Sequence, residues 1–81
     1  MSVLRVMSSA GDRAYSWDLV KVEAGDPEAL AAVREAERIF AAQRRNGGTG
    51  VRVQAGRPAV RLDTFDPEAE QIIMMPRVVG G

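Results

Sequence analysis

Apolar and polar residues recur along this chain with two different periods. Val3–Met7 (VLRVM) is apolar on both faces apart from Arg5, the pattern of a strand with neighbours on both sides. Ser8-Ser9-Ala10-Gly11-Asp12 supplies turn chemistry. Tyr15, Trp17 and Leu19 then alternate with Ser16 and Asp18, a period of two. Val20 and Val22 move the apolar set to the other face, so the strand ends near Leu19 or a bulge intervenes. Too few residues separate these two runs for a crossover, and they are expected to form a hairpin.

The spacing then changes to that of a helix. Asp26 is a good N-cap, Pro27 suits the first helical position, and Glu28 complements the positive end. Asn46-Gly47-Gly48 is a strong stop, with Arg44 and Arg45 placed for the negative end. Between these signals, Ala29, Ala32, Val33, Ala36, Ile39 and Phe40 fall within an arc of roughly 120° at ~100° per residue. Arg34, Arg38 and Arg45 lie opposite. The alanines on the buried arc let such a helix approach a sheet closely.

A period of two returns after the glycines. Val51 and Val53 alternate with Arg52 and Gln54, and Val60 and Leu62 flank Arg61, with Ala55-Gly56-Arg57-Pro58 as a turn. Asp63–Glu68 is a cap-and-turn cluster with room for one helical turn, and Phe65 within it is expected to plug one end of the core. Gln71–Met75 (QIIMM) is again apolar on both faces, and Pro76, with no N–H, should end its ladder. The order is strand, strand, helix, strand, strand, strand. The first and last strands should lie side by side and parallel in mid-sheet, with the hairpins flanking them and the helix across one face. That is an α+β fold with a mixed four- or five-stranded sheet.

Composition narrows the chemistry. Eighty-one residues make one small domain. Hydrophobic content is 46%, but twelve of those residues are alanine, which leaves a modest core. There is no cysteine and no histidine, which removes thiol nucleophiles, disulfides, Cys/His metal sites and Ser-His chemistry. Eleven cations balance eleven carboxylates, so nothing favours electrostatic capture of nucleic acid or an anionic membrane. No apolar run approaches a membrane span, and the first residues do not read as a signal peptide. The chain reads as cytoplasmic and non-catalytic. The close carboxylate pairs Glu35/Glu37, Asp63/Asp66 and Glu68/Glu70 read as solvated or capping groups. Gly47–Gly50 reads as a helix stop in place of a phosphate loop, because it follows a helix and lacks the lysine. Tyr15 and Trp17 read as core in place of a stacking platform for single strands. Ten of the eleven cations are arginine, so Lys21 carries the one side-chain amine.

The last ten residues stand apart: an apolar strand, a proline stop, a short Arg/Val segment and Gly80-Gly81. Fully extended, Pro76 to Gly81 spans about 17 Å at ~3.4 Å per residue, enough to thread a carboxylate into another protein. Glycines, lacking Cβ, let a narrow channel close round them. The run Ile72-Ile73-Met74-Met75-Pro76-Arg77-Val78-Val79-Gly80-Gly81 resembles the C-terminus of the prokaryotic sulfur-carrier proteins, namely the small subunit of molybdopterin synthase and the thiamine-pathway carrier. The former typically ends in a strand, Phe-Pro-Pro-Val, a small residue and Gly-Gly. Pro76, Val78, Gly80 and Gly81 fit that register. The element order is similar to the β-grasp fold those carriers share with ubiquitin. Arg77, fifth from the end, resembles the tail arginine that ubiquitin-activating enzymes read. Three features depart from the carriers: residues 65–70 stand where they have a short Asp-Gly-Asp-Glu turn, Arg77 replaces their second proline, and the first hairpin and the helix do not carry the usual carrier sequence. The resemblance therefore points to a divergent bacterial ubiquitin-like protein.

The resemblance implies a β-grasp domain over residues 1–76 and a diglycine tail over 77–81. It implies a ThiF-like adenylating partner that uses ATP and Mg²⁺ to convert the Gly81 carboxylate into an acyl-adenylate, with no cofactor held by this chain. A sulfur donor would then give a thiocarboxylate, or an enzyme cysteine a thioester and later an isopeptide bond. The further partner is a sulfur-acceptor enzyme or a protein target. Gly80 and Gly81 would form the activation site, Pro76, Arg77, Val78 and Val79 would be read by the partner, and Lys21 is the candidate acceptor. The sheet face away from the helix would dock the activating enzyme. The contrasting expectation is a β-grasp interaction or structural module, for instance in a phage or mobile-element assembly, whose tail is never activated.

Overall fold

The computed structural model describes residues 1–77. Five strands and two helices follow the order β1 (Ser2–Val6), β2 (Arg13–Trp17), α1 (Leu19–Glu23), α2 (Pro27–Arg45), β3 (Thr49–Val53), β4 (Val60–Leu62) and β5 (Gln71–Met75). The sheet order is β2-β1-β5-β3-β4. β1 and β5 are parallel and central, and antiparallel hairpins extend the sheet on either side. The molecule is thus an α+β layer pair of β-grasp-like class. The two runs that are apolar on both faces, β1 and β5, occupy two of the three interior positions, side by side in mid-sheet. Among the described residues, no helix is long and apolar enough to cross a membrane.

α2 starts and stops where its caps require. The Asp26 carboxylate accepts the Glu28 N–H at 3.0 Å. At the other end Gly48 N–H donates to the Gln43 carbonyl at 2.8 Å and Gly47 N–H to that of Arg44 at 3.0 Å. This pair of bonds closes a helix through a residue of positive φ, and Gly47 supplies it at +86°. Ala29, Ala36 and Phe40 are buried, and Ala32, Val33 and Ile39 pack beside them.

The core is one cluster under α2. Leu4, Val6, Trp17, Phe40, Ile72 and Met74 are buried together, with Phe65 and Leu62 at their margin. Phe65 lies between the other two rings, 5.4 Å from the Trp17 centroid and 5.9 Å from that of Phe40. Trp17 Nε1 donates to the Pro67 carbonyl at 2.8 Å, which gives the buried indole its one required partner. The core reading of Trp17 therefore holds.

Two local features differ from the sequence reading. The chain after Trp17 turns into the short helix α1 instead of continuing or bulging. Asp18 caps it, accepting from Val20 N–H at 3.0 Å, and Gly25 at φ +79° ends the turn. Leu19 and Val22, three apart, pack on the core, while Val20 is 75% exposed. The apparent change of face was a change of period. The Asp63–Glu68 segment forms bends and a turn without a helix, held by Asp66, whose carboxylate accepts the Glu68 N–H and faces Arg52 at 3.3 Å.

Candidate functional site

β5 determines where the C-terminal segment leaves the domain. Its ladder to β3 runs as far as Met75 paired with Thr49, and Pro76 follows. Pro76 and Arg77 are both exposed. The aliphatic stem of Arg77 lies across Gly47. A Cβ placed on Gly47 would come within 2.8 Å of Arg77 Cδ. Gly48 is buried just below, where a Cβ would meet the Gln43 carbonyl oxygen at 2.8 Å and that of Met75 at 3.1 Å. The two glycines thus end the helix and also let the outgoing strand cross its last turn. Sequence reading gave them the first role; the second needed the approach of β5, which lies far away in the chain. Val78, Val79, Gly80 and Gly81 lie outside the described residues.

Lys21 is exposed on α1. α1 follows Trp17, which pairs with Ser2 at the start of β1, whereas β5 leaves beside Val6 at the other end of β1. Lys21 and the exit of β5 therefore sit at opposite ends of the strands.

Among the described residues, no helix covers the sheet face away from α2. One row crosses all five strands there: Ala14, Arg5, Ile73, Val51 and Arg61. Val3, Gln71 and Val53 form the adjacent row. Val3, Val51, Val53 and Ile73 are half-buried, and Ala14 at the β2 edge is exposed. Arg5 and Arg61 flank them, and no carboxylate lies in either row. Such a surface fits a partner with an apolar centre and an acidic rim.

A second concavity, of about 550 Å³, lies between α2 and the segment after β4. Phe40, Ala41 and Phe65 line it together with Arg34, Glu37, Arg38, Arg44 and Asp63. Arg44 ties its walls together. Nη1 donates to the Gly48 carbonyl at 3.1 Å, and Nη2 faces Asp63 at 3.5 Å, while Nε is buried with no partner among the described residues. Arg38 is held by Glu35 through two bonds, of 3.1 and 2.6 Å, which lower the Glu35 carboxyl below its usual range and raise the Arg38 guanidinium. Guanidinium and carboxylate groups alternate round this rim, so it selects neither sign of charge. No cluster of three or more metal-ligating side chains occurs among the described residues. Comparison with protein-family models, with curated proteins and with solved structures finds no match to this chain.

Proposed function

We propose that this chain is a ubiquitin-like carrier or modifier, with Gly81 bearing the carboxylate that an ATP-dependent, ThiF-like enzyme activates. The observation that carries the proposal is the placement of the exit. The segment leading to Gly80-Gly81 emerges from β5, a central strand paired on both sides, and Arg77 begins it against the end of α2. A strand so held gives the partner a fixed starting point from which to thread the following residues.

A carboxylate is a poor electrophile because its charge repels nucleophiles and its oxygen leaves badly. Adenylation makes it reactive: the carboxylate attacks the α-phosphate of ATP and pyrophosphate departs. The catalytic groups lie on the partner. This chain contributes the tail, Pro76 and Arg77 as its readable root, and the Arg5/Arg61-flanked sheet face as the docking surface. Sulfur transfer and conjugation diverge only after the adenylate, when a sulfur donor or an enzyme cysteine displaces AMP. The second reading is an interaction module that uses the same sheet face without activation, and the apolar patch of Ile73 and Val51 with Val3 and Val53 of the adjacent row favours it.

ATP–pyrophosphate exchange with candidate adenylating enzymes tests the proposal. Exchange should appear with the intact chain and disappear when Gly81 is deleted or one residue is appended. Intact mass of the protein from its host separates the branches: a replacement of oxygen by sulfur marks a carrier, and a covalent adduct through Gly81 marks a modifier. A host protein that continues beyond Gly81 and is never trimmed there would end the proposal.

A further inference from the structure

The charges balance over the whole chain but not along it. Residues 38–62 hold six arginines and no carboxylate, while residues 63–70 hold four carboxylates and no cation. Folding brings these blocks together only in part, through Arg44–Asp63 and Arg52–Asp66. Arg5 and Arg61 lie mid-sheet and Arg34, Glu35, Glu37 and Arg38 along α2, while most of the other charges gather at the two ends of the strands.

At the end where β5 leaves, Arg13 starts β2 beside Val6, Arg45 closes α2, and Arg77 lies on Gly47. Among the described residues none of these three has a carboxylate within 4 Å; the acidic groups at this end are Asp12, beside Arg13, and Asp63, which is taken by Arg44. At the opposite end, the Trp17 bond to the Pro67 carbonyl and the Val3 N–H bond to the Glu70 carbonyl draw the segment after β4 against α1 and the start of α2. Glu23, Glu28, Glu68 and Glu70 are exposed there, and Asp18 and Asp26 add two capping carboxylates, against Lys21 on α1 and Arg57 in the β3–β4 turn. The α2 macrodipole accounts for Asp26, Glu28 and Arg45. It does not account for Arg13, Arg77, Glu23, Glu68 or Glu70, which lie off that helix.

We propose that the cationic exit end of one copy docks on the acidic α1 end of a second copy, head to tail. The complementary surface is on the molecule itself, which is why a second copy is the fitting occupant. The contact joins different patches, so it leaves a free patch at each end and extends instead of closing as a symmetric dimer does. Docking covers the root of the exit segment. Self-association and presentation of the tail to an enzyme would therefore compete.

Sedimentation velocity on the full chain at about 1 mM protein tests this, in about 20 mM salt, where the screening length is roughly 20 Å. The expected result is a weight-average mass above 8.8 kDa that rises with concentration. The association constant should fall about tenfold or more by about 300 mM salt. The R13E/R45E variant should be monomeric, and so should E23K/E68K/E70K. Their equimolar mixture should associate again, because one retains the acidic end and the other the cationic end. Arg77 is left unchanged so that the first variant remains a substrate in the exchange assay, and failure of one idea is then separable from failure of the other. Thermal melting of each variant, followed by Trp17 fluorescence, verifies the fold. A wild-type chain that stays monomeric in low salt overturns the proposal. So does association that survives in either folded variant, or a mixture that fails to recover it.

Discussion

Phe40→Ala should come close to unfolding this domain. Phe40 is 2% exposed and packs between the C-terminal half of α2 and the sheet, edge-on to Phe65 and directly over Gly50. Returning its ring to water forfeits roughly 2–3 kcal/mol of transfer free energy. The void adds roughly 1–2 kcal/mol at about 24 cal/mol per Å³, because Gly50 has no side chain to fill it. The sum is about 3–5 kcal/mol, against a total stability of about 4–12 kcal/mol for a chain of this length. Urea titration monitored through Trp17 is the assay, and at about 1 kcal/mol per M the midpoint should fall by roughly 3 M or more. The same geometry makes a second, sharper claim. A Cβ on Gly50 would come within 2.6 Å of Phe40 Cε2 and 2.8 Å of Met74 Sδ. Gly50→Ala alone should therefore cost about 1–3 kcal/mol through overpacking. In the Phe40→Ala background the ring is gone and the Met74 thioether can move, so most of that cost should vanish, leaving a coupling of about 1 kcal/mol or more. Additive effects, or a Phe40→Ala midpoint within about 1 M of wild type, would refute the packing of α2 on β3 as described.

Asp26→Ala removes the acceptor for Glu28 N–H and should cost about 0.5–2 kcal/mol by the same titration, with Asp26→Asn recovering most of the loss. Gly47→Ala places a Cβ at φ +86° and against the Arg77 stem. It should cost roughly 1–2 kcal/mol from the backbone alone, and should also shift the Arg77 side-chain resonances in an NMR spectrum, which a purely local strain would leave in place. The Glu35–Arg38 pair gives a pH dependence of known sign. The folded Glu35 carboxyl is held below its usual range, so its contribution is complete above the unfolded value and is lost as pH falls through the folded one. Carbon-detected titration should find Glu35 below ordinary glutamates, with the difference shrinking in high salt because the pair is exposed.

The sequence by itself determined the elements whose signals are local. The α2 caps at Asp26 and Asn46-Gly47-Gly48 are side-chain and backbone chemistry within one turn, and the period-two runs mark strands because a pleat exposes alternate faces whatever lies next to it. Even the central pairing of β1 with β5 was legible, since only an interior strand tolerates apolar residues on both faces. α1 was less so: five residues give barely one period, and Val20 and Val22 read equally as a strand that has changed face. Tertiary structure decided what depends on distant segments meeting. Only the approach of β5 shows that Gly47 and Gly48 make room for Arg77 and Met75. Only the five-strand register places Arg5 and Arg61 in one row with Ile73 and Val51, and only the return of residues 67–70 to Trp17 gathers the carboxylates at one end. Caps and periods are fixed by neighbours a few residues away. Surfaces are sums over strands far apart in the chain, and no local pattern encodes them.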